Sequence, residues 1–282
     1  RADGVHPEPD PEHSLVDRLD GARLMLELSN EQIGAWVGSF LLPLFRIASL
    51  LMVMPIIGTQ LVPVRVRLYL AMAIALVLVP TLPPMPVIDA LTVRSLMLIA
   101  QEVLIGVMLG FTLQLFFHLF SVAGQIIAVQ MGLGFASMID PANGVSVPVL
   151  AQMLLMLVTL LFLAMNGHLV VFEVLAESFI TLPVGTGLST NHYWELAGKL
   201  GWVLGAGLLL VLPAITALLV VNLAFGIMTR AAPQLNIISI GFPMTLVIGL
   251  VIFWLGLADF LAQYQLLASE GLQLLRELAQ AR

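Results

Sequence analysis

The sequence predicts an all-α membrane protein built from about six to eight hydrophobic helices, long and kinked. Three observations predict it. Hydrophobic residues make up 60% of the 282-residue chain and charged residues only 10%, where a soluble domain carries about a quarter charged residues. Apolar runs follow one another with little between them, several as long as the roughly 20 residues that cross a bilayer. Prolines and glycines fall both between these runs and inside them. A mean hydropathy of +1.05 assigns the chain to a membrane, or to the buried part of a membrane assembly.

Composition also excludes chemistries. With no cysteine there are no disulfides, thiolate metal sites or lipidated thiols. A net charge of −6 argues against nucleic acid as a partner.

The first 24 residues stand apart. They hold Asp3, Glu8, Asp10, Glu12, Asp17 and Asp20 against Arg1, Arg18 and Arg23, together with Pro7, Pro9 and Pro11. So little apolar surface cannot offset ordering entropy, and the expectation is a disordered acidic extension with a short helix near 14–26. Met25 opens MLELSNEQIGAW cleanly and is the expected natural start. Complementation by a chain beginning at Met25 checks this.

The apolar runs are 33–57, 66–79, 93–120, 122–135, 149–165, 169–182, 200–228 and 237–268, for which six spans is the natural hydropathy count. They divide poorly into single crossings: 66–79 is short, and 93–135 is about twice a span, broken softly near 121–124. Such unevenness is expected where helices pack inside a protein complex. Pro80, Pro83, Pro84, Pro86, Pro183 and Pro233 separate runs, whereas Pro43 and Pro213 lie within them and should kink their helices. Placing Arg65, Arg67 and Arg230 on one side suits the positive-inside rule with an external N-terminus. After 258 the character changes. Leu267, Leu274, Leu275 and Leu278 alternate with Glu270, Gln273, Arg276 and Glu277, an amphipathic helix expected to leave the membrane or lie on its surface.

Gly34/Gly38, Gly106/Gly110 and Gly201/Gly205 are small-xxx-small pairs, whose flat faces let a second helix approach closely; chance pairs are also expected among 23 glycines. Arg46, Glu102, His118, Glu173, Glu177 and Asp259 are ionisable groups within apolar runs. Each costs free energy there and so marks either a proton path or a pairing site. Arg46 and Asp259 read as packing anchors. The five histidines are scattered, without HxxxH or HExxH spacing, and no metal or other cofactor is expected. GLGFAS at Gly132 lacks the preceding strand of a dinucleotide fingerprint. Nothing points to catalysis.

The segment QMGLGFASMIDPANGVSVPV (130–149) is the most irregular part of the apolar body. Gly132, Gly134, Pro141, Gly144 and Pro148 interrupt it, and DPANG reads as a turn. Irregular backbone at membrane depth is tolerated only inside protein or along a cavity. Its apolar side chains Met131, Leu133, Phe135, Met138, Ile139 and Val147 could close a narrow lumen by dewetting, or tuck against their own bundle as an ordinary loop.

QMGLGFASMIDPANG, FLAMNGH (162–168) and RAAPQLNIISIGFPMTL (230–246), in this order and spacing, resemble the FliR family of bacterial flagellar type III secretion export-gate proteins. The likeness runs from about residue 25 to the C-terminal helix. It implies a non-enzymatic subunit of a FliP–FliQ–FliR core in the bacterial inner membrane at the flagellar basal body, with FlhB and FlhA associated and unfolded flagellar subunits passing through the centre. It implies long helical hairpins: a FliP-like part over 25–195 and a FliQ-like hairpin with amphipathic tail over 196–282. It makes 131–147 the plug of the closed pore, with Phe135 and Met138 at bulky plug positions. An aromatic group can stand at the second of these in relatives, so Met138 implies a softer seal. Arg230, Pro233, Gln234, Leu235 and Asn236 match the loop joining the last two helices, an assembly contact. Two other readings stay open. One is a secondary transporter using helices broken at Pro43 and Pro213 with Glu102 or Asp259 coupling protons. The other is a purely structural adaptor.

Overall fold

The computed structural model describes residues 30–83, 85, 86, 92–133, 149–231 and 237–280, with backbone alone at 30–37 and 237–240. Seven α-helices and one short 3₁₀ turn account for nearly all of them. In chain order these are α1 (Asn30–Val53), α2 (Val64–Leu78) with the 3₁₀ turn Val79–Thr81, and α3 (Val93–Gln130). They are followed by α4 (Val149–Ala164), α5 (Gly167–Thr181), α6 (Thr190–Ala231) and α7 (Ile237–Gln280).

Local chemistry sets the boundaries. Thr92 caps α3, its hydroxyl accepting the Ser95 N–H at 3.2 Å, which satisfies a donor that has no partner inside the helix. Asn166, in the left-handed region at φ 57°, turns α4 into α5 through 69°. Gly167 follows because a Cβ there would lie 2.5 Å from the Phe162 ring. Pro43, Pro213 and Pro243 lie inside α1, α6 and α7, and all three helices continue through them.

The helix α3 is the axis of the fold. Two-thirds of its most apolar window is buried (67%), whereas the same share is 11% for α6 and 17% for α7. It packs on α1, α4, α6 and α7. Its Phe116, Phe117 and Phe120 meet Phe162 of α4 and Phe260 and Tyr264 of α7, mostly edge to face, with ring centroids 5.4 to 6.1 Å apart. In that geometry ring edges meet ring faces and add to the gain from area burial.

Three expectations meet the structure here. The soft break near 121–124 is absent: α3 runs unbroken for 38 residues. Gly124 is a contact point instead, where a Cβ would stand 2.5 Å from the Cα of Ala151 on α4. Second, four helices are long and apolar enough to cross a membrane, or five with bent α4–α5 as one span, among the described residues. The described side chains of α1 begin at Gly38, and Gly38–Val53 stands beside these as a shorter apolar helix, the sixth member of the expected set. Third, the amphipathic tail is the end of α7 itself and folds onto the chain. Leu275, Leu278 and Ala279 are buried, Arg276 reaches Glu173 at 3.5 Å, and Gln280 donates to Glu177 at 2.8 Å. Its apolar stripe thus finds α5.

Candidate functional site

The irregular segment begins where α3 stops. Gly132 adopts φ +85°, a conformation that costs glycine nothing. Its N–H donates to the Val129 carbonyl at 3.0 Å, and the Leu133 N–H donates to the Ala128 carbonyl at 2.9 Å. These paired bonds form a Schellman stop, and the order Met131-Gly132-Leu133 encodes it. Leu133 then packs on the core.

This terminus is pinned to the last two helices. Met131 is fully buried, and its thioether fills the notch left by Gly249 of α7, where a Cβ would lie 2.5 Å from Met131 Cγ. A Cβ on Gly132 would come within 3.0 Å of the Phe242 ring, also on α7. From α6, Asn222 Nδ2 donates to the Gln130 carbonyl at 3.3 Å. At the far end, Leu150, Ala151 and Leu154 of α4 are buried, with Ala151 against Gly124. The segment therefore leaves and rejoins the same packed body. Phe135, Met138, Ile139 and Val147 lie outside the described residues, as do Gly134, Pro141, Gly144 and Pro148. Of the apolar positions singled out in the sequence, Met131 is an anchor in the core and Leu133 covers it.

The second polar centre is the Arg46 network. Arg46 and Glu102 are both wholly enclosed, joined Nε to Oε2 at 2.7 Å and Nη2 to Oε1 at 3.0 Å. The guanidinium also donates to Ser178 O at 2.8 Å and Oγ at 3.2 Å and to Leu182 O at 2.9 Å, and stacks 4.2 Å over the Phe179 ring. Arg46 thus neutralises Glu102 of α3 while bonding the C-terminal end of α5, where the Leu182 carbonyl stands one residue past the helix and the Ser178 carbonyl, already accepting the Leu182 N–H at 2.9 Å, takes a second bond. Sequence reasoning found Arg46 and Glu102 but missed Ser178 and Phe179, because nothing local marks the partner of a distant cation. It also missed Asn222, although a lone Asn in the uncharged stretch 200–229 is the kind of polar residue that bonds across helices.

Close approach of α1 to α3 makes this network possible. A Cβ at Gly106 would lie 2.2 Å from the Arg46 carbonyl oxygen, and one at Gly110 2.9 Å from that of Leu50. Gly201 and Gly205 have no atom within 4 Å of that position, and Gly34 lies outside the described side chains. The remaining ionisable groups are dispersed. Glu173 and Glu177 meet the tail of α7, His118 is exposed on α3, and Asp259 is exposed on α7. Arg230 is exposed at the end of α6, while 233–236 lie outside the described residues. Among the described residues no three His, Asp or Glu side chains group as a metal site.

Long apolar helices around one buried axis, an internal ion pair in place of a solvated site, and a Gly-rich segment tied at both ends define an all-α integral membrane protein. Residues 37–271 match the family described as bacterial export proteins, family 1. The chain is 43% identical over 227 residues to the flagellar biosynthetic protein FliR of Escherichia coli K12, covering 80% of this chain and 87% of that one. It is 39% identical over 228 residues to FliR of Pectobacterium carotovorum, with the same two coverages, and 27% identical over 219 residues to FliR of Bacillus subtilis, covering 76% and 83%. The chain belongs to this family of bacterial export proteins, among its flagellar biosynthetic FliR members.

Proposed function

We propose that this chain is one subunit of the export gate of the flagellar type III secretion apparatus, assembled with FliP-like and FliQ-like partners in the bacterial inner membrane at the basal body. In this reading FlhB and FlhA are neighbours and unfolded flagellar subunits are the cargo. The gate conducts protein and needs no chemistry of its own. Residues 25–195 form the FliP-like part, and α6 and α7 belong to the FliQ-like hairpin of 196–282, whose turn around 233–236 contacts other subunits.

One observation carries the multisubunit reading. The helices α6 and α7 have 42 and 44 residues, and their exposed large apolar side chains run from Tyr193 to Met228 on α6 and from Phe242 to Leu266 on α7, about 53 and 36 Å at 1.5 Å per residue. A hydrocarbon layer is about 30 Å thick. The α6 stripe outruns that layer by about 20 Å, and protein must cover the excess.

The segment 131–147 is the plug. Tied at Met131 and again at α4, it can shift its apolar middle without loosening its ends, which suits a seal that opens for cargo. Deleting 134–147, downstream of the Met131 anchor, should leave the gate assembled and make cells leak ions. Tagged chain should co-purify with FliP and FliQ homologues. A deletion that stays tight to ions would remove the plug, and a solitary monomer would remove the gate.

A further inference from the structure

We infer that the groove between α6 and α7 centred on Asp259 seats an apolar helix of a neighbouring subunit, and that this helix carries one Lys or Arg at the depth of Asp259. The inference rests on the multisubunit reading above. Asp259 and Gln263 of α7 line a cavity of about 280 Å³ with Leu210, Pro213 and Ala214 of α6, whose other walls are almost wholly apolar.

Its depth makes Asp259 informative. In α6 no charged residue occurs from 200 to 229, and in α7 none from 237 to 258. The α6 side of the cavity, 210–214, stands near the middle of that uncharged stretch. Exposed apolar side chains flank it in both directions, Leu204 and Leu208 on α6 and Trp254 and Leu261 on α7 among them. A carboxylate in such surroundings calls for a cation. The ion pairs among the described residues are Arg46–Glu102 and Arg276–Glu173, and neither involves Asp259.

The groove is also shaped for a helix. Gly205 and Gly256 have nothing within 4 Å of a Cβ position, so a backbone can come close at both. Further along, Glu270 lines the same interhelical trough and accepts the Trp202 Nε1–H at 3.2 Å. Asp259, Gln263 and Glu270 thus form a polar seam about 16 Å long down one side of α7. Lipid tails cannot neutralise a carboxylate. A second copy of this chain fits poorly, since Arg46 and Lys199 are buried, Arg276 meets Glu173, and Arg65, Arg67, Arg94 and Arg230 stand in the first or last turn of their helices, not within an apolar stretch.

The test is made in cells that lack the chromosomal gene and carry the full chain. Benzoyl-phenylalanine in place of Leu255, at the cavity edge, is photo-activated and the adduct sequenced. The expected adduct is an apolar helix of another gate subunit whose one charged residue, a Lys or Arg, lies within about one turn of the cross-link. Asp259→Lys should then lower flagellar export at least about tenfold through like-charge repulsion. Changing the partner's cation to Asp in the same cells should restore it to within about threefold. An adduct to lipid, to a second copy or to residues 1–29 of the chain would overturn the inference, as would full export by Asp259→Leu or a charge swap that restores nothing. Failure of the unaltered chain to restore motility at all would instead overturn the export-gate reading.

Discussion

Arg46 makes five hydrogen bonds while fully enclosed, which uses every N–H a guanidinium has. Glu102 stabilises it only because both charges left water together. Removing one leaves the other buried and uncompensated, at a cost of about 3 to 5 kcal/mol. Glu102→Gln should therefore sharply lower the unfolding midpoint of the detergent-solubilised chain. The double change Arg46→Met with Glu102→Leu should recover only part of the loss, because the Leu182 carbonyl loses its Arg46 donor and the Ser178 carbonyl keeps only the Leu182 N–H. Full recovery would show that those carbonyls do not matter. The pairing also bears on proton transfer, since a carboxylate held by a bidentate cation is a poor carrier.

Glycines divide the helices into faces that touch and faces that wait. Gly106→Ala drives a methyl into the Arg46 carbonyl and the Ser49 hydroxyl, so α1 must move off α3. Overpacking of that kind costs about 1 to 3 kcal/mol. At Gly201 the same methyl meets open space, and Ala there should be neutral or stabilise the helix by up to about 1 kcal/mol. Thermal unfolding of the two variants side by side reads the difference; an equal loss in both would mean that contact inside the chain does not distinguish them. Gly249→Leu closes the notch that holds Met131 and should free the end of α3. Limited proteolysis between 131 and 149 should then speed up while the rest of the chain resists as before.

For the whole molecule, exposed apolar length is the governing fact. A chain purified alone must cover the α6 stripe from Tyr193 to Met228 with detergent well beyond one bilayer thickness. Detergent bound per copy, measured by light scattering with refractive index, should fall when the gate is purified as a complex. No change would mean that the exposed faces are ordinary lipid contacts and that the excess of length has another cause. The same hairpin holds the start of the proposed plug, because Met131 packs at Gly249 and Gly132 at Phe242 of α7, and Asn222 of α6 bonds Gln130.

Hydropathy by itself determined the all-helical membrane class, since 60% hydrophobic residues in helix-length runs have no other solvent. Gly132 fixed the end of α3, and a short polar acceptor at Thr92 fixed its start, because both signals act within one turn of backbone. The Gly106 and Gly110 spacing marked a flat face without saying what lies on it. Tertiary structure alone decided the rest. It joined 93–130 into one axis through Gly124, folded the amphipathic tail back onto α5, and brought Arg46 to Glu102 and Ser178. It also left Asp259 on an open face, without a cation among the described residues. Those outcomes depend on which distant surfaces meet, and side-chain periodicity shows which face of a helix is apolar but not what comes to cover it.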